Sequence, residues 1–144
     1  MIHVDSVTAA VTGLLEANPV LVSSGFTVQE GEALNAGLRQ TPWVGVYPGQ
    51  LTVAPHTLGG AQPWQAELEL LLYVQDGSLK SGTDATQRLG RSQAAVLDAL
   101  RQHMTLGDTV LMWTELTVTP YKRDVLNDSW LFTNEILLRT QVRA

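Results

Sequence analysis

Trp64-Gln65-Ala66-Glu67-Leu68-Glu69-Leu70-Leu71-Leu72-Tyr73-Val74-Gln75 is the stretch whose reading decides the fold. Successive side chains of a strand point to opposite faces. A period of two therefore puts Leu68, Leu70, Leu72 and Val74 on one side and Glu67, Glu69, Leu71 and Tyr73 on the other. The first set is wholly apolar and the second is mixed, which predicts a long strand with one face buried. Asp76-Gly77-Ser78 after it is turn material. Thr83 or Asp84 can then cap a helix, because Leu89, Val96, Leu97, Leu100 and Met104 follow a 3.6-residue period. Gly107 closes that helix, which at about 20 residues is roughly 30 Å long and able to cross a sheet. It is expected to be the sheet's main packing partner.

Working outward, two glycines and two prolines between Pro55 and Pro63 mark an exposed loop. Before it, Trp43-Val44-Gly45-Val46-Tyr47 reads as a strand bounded by Pro42 and by a Pro48-Gly49 turn, with Leu51 to Ala54 continuing the sheet. Val20 to Gln40 carries a weaker pattern, with a short strand at Phe26-Thr27-Val28 and a helical turn or two over Glu32 to Leu38. At the start, Asp5 or Ser6 can cap a helix on which Val7, Val11, Leu14 and Leu15 share a face while Thr8, Thr12 and Glu16 fall elsewhere. Asn18-Pro19 ends it, since a residue before proline is pushed out of the α region. On the other side, Val110 to Thr119 and Trp130 to Val142 read as an antiparallel strand pair, separated by the polar segment Pro120 to Ser129. The order predicts an α+β fold, a mostly antiparallel sheet with a short N-terminal helix and one long helix packed on one face. Residues 1–144 are expected to form a single domain, the usual outcome at this length. The opposite sheet face is either solvated by Glu67, Glu69, Glu135 and Arg139 or buried through Leu71, Tyr73 and Leu137 against a neighbour.

Hydrophobic residues make up 44% of the 144 and charged residues 16%, against about 25% charged in ordinary soluble domains. Such a lightly charged surface suits cover by a partner. The net charge of -5, without a Lys/Arg run, lacks the basic footprint that neutralises phosphates, which argues against direct nucleic-acid binding. With no cysteine there is no disulfide framework, thiolate metal site or cysteine nucleophile. Met1 to Leu15 has no basic leader, and no apolar run approaches the roughly 20 residues of a membrane span. A soluble protein without membrane association is expected.

The residues that carry chemistry are scattered. His3, His56 and His103 stand in three segments with no helical metal-site spacing, so neither a metal nor another cofactor is expected. Glu67 and Glu69 share a strand face, where a carboxylate pair is possible but a solvated face is the plainer reading. No G-x-S-x-G elbow and no phosphate-cradling glycine motif is present. Nothing points to an enzyme. More informative are Trp43, Tyr47, Trp64, Tyr121 and Trp130, aromatic residues at strand ends or beside Pro/Gly segments, where they either seal the core or anchor an interface. Basic residues Lys122, Arg123, Arg139 and Arg143 can pair across an interface or simply remain solvated.

Taken together, the short N-terminal helix, the segment Pro42-Trp43-Val44-Gly45-Val46-Tyr47-Pro48-Gly49, the alternating strand Trp64 to Gln75, Ser81-Gly82-Thr83-Asp84-Ala85 opening the second helix, and the C-terminal strand pair resemble the tail terminator (tail completion, head-tail joining) family of long-tailed bacteriophages. The resemblance covers most of the chain and is one of pattern, without a chemical signature. It implies an α/β subunit that closes with its own copies into a ring, a hexamer in that family, on the head-proximal end of the tail tube. The implied partners are the major tail tube protein and the head-tail connector protein, with DNA passing the lumen without specific binding. The implied place is the virion tail, assembled in the host cytoplasm. A closed ring needs two different side patches on each subunit. By analogy the contacts fall on Pro48 to Pro63 and Pro120 to Ser129; with the aromatic residues at neighbouring strand ends, the interface candidates are Trp43, Tyr47, Pro48, His56, Trp64, Tyr121, Lys122, Arg123 and Trp130. The family brings no catalytic residues.

Other phage neck, tail-tube or baseplate components can share such patterns. Outside that class stand a small-ligand or carbohydrate binder stacking on Trp43, Trp64 and Trp130, which predicts a stable monomer, and a hydrolase built on Glu67, Glu69 and His56.

Overall fold

In the computed structural model the described residues are 4–30, 41–55, 64–102, 112–126 and 129–143. The order is α1 (Val4–Ala17), α2 (Pro19–Ser23), β1 (Thr27–Glu30), β2 (Trp43–Pro55), β3 (Trp64–Ser78), α3 (Gly82–Arg101), β4 (Met112–Leu126) and β5 (Ser129–Arg143). The five strands form one sheet in the order β1-β2-β3-β5-β4, antiparallel except for the short parallel pair β1-β2. This is the expected α+β architecture, with a short N-terminal helix and the 20-residue α3 on the same sheet face.

The alternation in β3 sets the layers. Leu68, Leu70, Leu72 and Val74 are fully buried. Their neighbours in register, Val44 and Val46 on β2 and Ile136 and Leu138 on β5, extend the apolar surface sideways. Val7, Val11 and Leu15 of α1 and Ala85, Leu89, Val96, Ala99 and Leu100 of α3 close over it in one cluster. Removing apolar area from water stabilises this layer by roughly 25 cal/mol per Å2.

Several boundaries differ from the sequence reading. Pro48-Gly49 is not a turn: β2 runs through it, with a register shift between Pro48 and Leu51. A Cβ at Gly49 would lie 3.0 Å from the Glu69 carbonyl oxygen, so glycine permits a bulge there instead of a reversal. Asp76-Gly77-Ser78 also stays in β3, because β5 pairs with it through Phe132, Leu131 and Trp130. The segment after Thr119 is strand as far as Leu126, with a second register shift between Pro120 and Lys122. Polar residues are stable in it because β4 is an edge strand and faces water.

Helix ends also differ, for local reasons. The N-cap of α3 is Ser81, not Thr83 or Asp84; its Oγ accepts from the Asp84 N–H at 3.1 Å. That helix is capped at Gln102, whereas the expected closing residue Gly107, with Met104, lies outside the described residues. Asn18 ends α1 and starts α2, its Oδ1 accepting from the N–H groups of Val20 and Leu21 at 3.0 and 3.2 Å with Pro19 in the first turn. Thr8 and Thr12 are buried on α1, contrary to their expected outward position. Each hydroxyl donates to the carbonyl four residues back, on Val4 and Thr8, which satisfies it without water. The short strand near Phe26 is β1, beginning at Thr27. The helical turn expected over Glu32 to Leu38 lies outside the described residues.

Candidate interaction surface

Both longer helices occupy one side of the sheet, and among the described residues no element covers the other. Tyr47 on β2, Tyr73 on β3 and Tyr121 on β4 form a row across that open face, with ring centroids 5.4 Å apart for Tyr47 and Tyr73 and 4.8 Å for Tyr73 and Tyr121. Leu71 and Leu137, paired in register, continue the apolar centre. Tyr73 is half-buried, and its phenol pKa is pushed up to about 12, first by burial and then by the neighbouring carboxylate of Glu135. The Lys122 ammonium lies 5.9 Å from the Tyr121 ring centroid.

The face is acidic at one end. Arg139 Nε is 3.1 Å from Glu69 and 3.9 Å from Glu67, and its Nη1 is 3.1 Å from Glu115. One guanidinium among three carboxylates leaves two negative charges in excess. At the opposite end the face is sealed. Trp43 is fully buried, its indole N–H donating to Gln29 Oε1 at 2.8 Å, and Gln75 Nε2 donates to the buried Thr133 hydroxyl at 3.1 Å. The indole lies across Gly45, where a Cβ would stand 2.5 Å from Trp43 Cη2.

The helix side carries charges of both signs, with Asp5, Glu16, Asp84 and Asp98 against Arg88, Arg91 and Arg101 on α1 and α3. Asp76 is 3% exposed; its carboxylate accepts from the Gly77 N–H at 2.8 Å and the Ser92 hydroxyl at 2.7 Å, and pairs with Arg88 Nε at 3.4 Å. Beside it a cavity of about 240 Å3 is lined by Ser24, Phe26, Arg88 and Arg91 among others. Val20 and Val22 of α2 stand 59% and 62% exposed on this side.

The expected interface residues separate by face. Tyr47, Tyr121 and Lys122 belong to the open face, and Tyr73, which the sequence offered with Leu71 and Leu137 as a residue that could bury this face against a neighbour, joins the two tyrosines. Arg123 and Trp130 lie on the helix side: Arg123 stacks 5.1 Å over the Phe132 ring and donates to Asn134 Oδ1 at 3.0 Å, and Trp130 packs beside Gly82. Pro48 is exposed at the β2 bulge. Trp64 opens β3 opposite Pro55, and His56, like His3 and His103, lies outside the described residues. Among the described residues no group of three or more His, Asp or Glu is placed to hold a metal ion, and no helix is long and apolar enough to cross a membrane.

No protein-family model matches the chain, and neither does any curated protein. Among solved structures, a chain described as belonging to the virion of a native gene transfer agent particle superimposes with a TM-score of 0.55. It covers 95% of this chain and 94% of its own, at 19% sequence identity. The two chains share a fold. The match extends over nearly the whole of both, so this arrangement of helices and sheet occurs as an entire chain of a virion particle.

Proposed function

We propose that the chain is a structural, non-catalytic component of a phage-type virion, and within it the tail terminator. Copies close into a ring, a hexamer by analogy, at the head-proximal end of the tail tube. The ring ends tube polymerisation and offers its other surface to the head-tail connector protein, while DNA passes the lumen without specific binding. The observation that carries this reading is the near full-length fold likeness to a virion chain. The open sheet face adds support, since its half-buried tyrosines and leucines suit cover by protein. Net acidity suits a channel that DNA must traverse without adhering. Assembly in the host cytoplasm and residence in the virion tail follow from the same reading.

The test is the solution mass of the purified chain by light scattering across concentration and salt, with negative-stain imaging of large species. A discrete ring of about six copies with a central hole is the expected result. Open tubes would instead favour a tail-tube component. A monomer under all conditions, also when mixed with purified tail tubes, would overturn the ring.

A further inference from the structure

We infer that the cavity bordered by α3, the end of β3 and the segment after α2 is a binding site for a single carboxylate group carried on a short hydrocarbon arm. The inference goes beyond the virion reading and does not depend on the ring. Three groups of the lining can donate to an anion. Arg88 is anchored to Asp76 through Nε at 3.4 Å, and among the described residues no bond engages its two Nη groups. Arg91, one turn further along α3, has no hydrogen-bond or ion-pair partner among the described residues. Ser24 adds a hydroxyl. A guanidinium presents a planar fork of N–H donors that matches the two oxygens of a carboxylate. Because Asp76 already holds Arg88, that fork loses less freedom when a ligand binds.

Charge and size select the ligand. The Asp76 carboxylate is fully engaged, Oδ1 by the Gly77 N–H and Arg88 and Oδ2 by the Ser92 hydroxyl. Within the lining, two arginines against this one acid leave a single positive charge. A monoanion neutralises it, whereas a dianion would set an uncompensated negative charge beside Asp76. The other acids of the helix side stand apart from this lining. Asp84 accepts from the Ser78 hydroxyl at 2.6 Å, and Glu16 lines a separate hollow. Asp84 and Asp98 are each seven residues from Arg91. That spacing is about 10 Å along the helix axis, roughly one Debye length at about 0.1 M salt. The volume of about 240 Å3 falls below the roughly 300–1,000 Å3 of drug-sized ligand pockets, so it admits a side chain or a small acid and not a larger cofactor. Phe26, Pro42 and Ala95 line the remainder and suit the hydrocarbon arm. The carboxylate is either an acidic side chain of another virion protein or a free organic acid.

Two probes separate these sources: propionate, a free acid, and N-acetylglutamic acid N-methylamide, which carries the same group on a peptide backbone. Each is titrated into the full chain near neutral pH at fixed ionic strength, with chloride as the baseline. NMR follows the Nε–H signals of Arg88 and Arg91 and the amides of Phe26 and Ser92. Saturable shifts at these positions are expected with both probes. Tighter binding of the peptide mimic assigns the site to a protein-borne carboxylate, and tighter binding of propionate to a free acid. Arg91→Gln should weaken binding by about tenfold or more, the worth of a charge-assisted hydrogen bond. Arg91 is exposed, so the substitution leaves the core intact, which circular dichroism checks. Arg101→Gln, in the last turn of α3 and outside the lining, should bind as wild type. The site is overturned by the absence of a saturable shift with either probe, by sulfate binding more tightly than both, or by Arg91→Gln binding as wild type.

Discussion

Gly45→Ala is the sharpest test of how the open sheet face is built. An added methyl group would stand 2.5 and 2.8 Å from Cη2 and Cζ2 of Trp43 and 3.0 Å from Cε2 of Tyr47. Comfortable carbon contacts are about 3.5–4.0 Å, so the indole must retreat by about an ångström. It has little room, because Trp43 is fully buried and its N–H is tied to Gln29 at 2.8 Å. Overpacking of this kind costs about 1–3 kcal/mol, and loss of the Gln29 bond adds about 1 kcal/mol. The smaller conformational freedom of alanine in the unfolded chain offsets about 0.4–1 kcal/mol. The expected net loss is about 1–3.5 kcal/mol, measured by urea denaturation followed by circular dichroism at one fixed protein concentration. Gly90→Ala is the matched control: Gly90 sits in the middle of α3 with nothing within 4 Å of where a methyl group would stand, and alanine there should stabilise by about 0.5–1 kcal/mol. Gly45→Ala within about 0.5 kcal/mol of wild type, the range of neutral surface changes, would refute the clamped indole.

Three further outcomes are expected. Asp76→Ala should destabilise by about 2–4 kcal/mol, since it leaves the Ser92 hydroxyl and the Gly77 N–H without their partner and strands Arg88, whereas Asp76→Asn should lose less; chemical denaturation of both variants measures this. Asn18→Ala should lose about 1 kcal/mol by removing the cap of α2, with the loss seen as faster amide exchange at Val20 and Leu21. For Tyr73 the sign follows from linkage: its pKa is raised to about 12 from an ordinary 10.0, so between those pH values the unfolded chain binds fewer protons than the folded one. Its stabilising contribution is therefore complete below about pH 10 and declines as pH rises towards about 12. Ultraviolet titration should show a late-ionising tyrosine that Tyr73→Phe removes.

What the sequence determined by itself is the layer structure. Alternation over Leu68 to Val74 and the 3.6-residue period of α3 are set by which side chains avoid water, and both survive in the folded chain because local geometry and burial agree there. The boundaries were decided by tertiary contact. Pro48-Gly49 and Asp76-Gly77-Ser78 have the composition of turns, yet pairing with β3 and β5 supplies hydrogen bonds that a turn would have met locally. Thr8 and Thr12 are polar by composition, but bonds to carbonyls one turn back allow them into the core. For the candidate surface, the sequence showed that Glu67, Glu69, Leu71 and Tyr73 share a face. It did not show that Arg139 would be shared by three glutamates, or that Tyr73 would bridge Tyr47 and Tyr121. Those groupings depend on the strand order β2-β3-β5-β4, and strand order is fixed by packing between segments far apart in the chain, which no local pattern encodes.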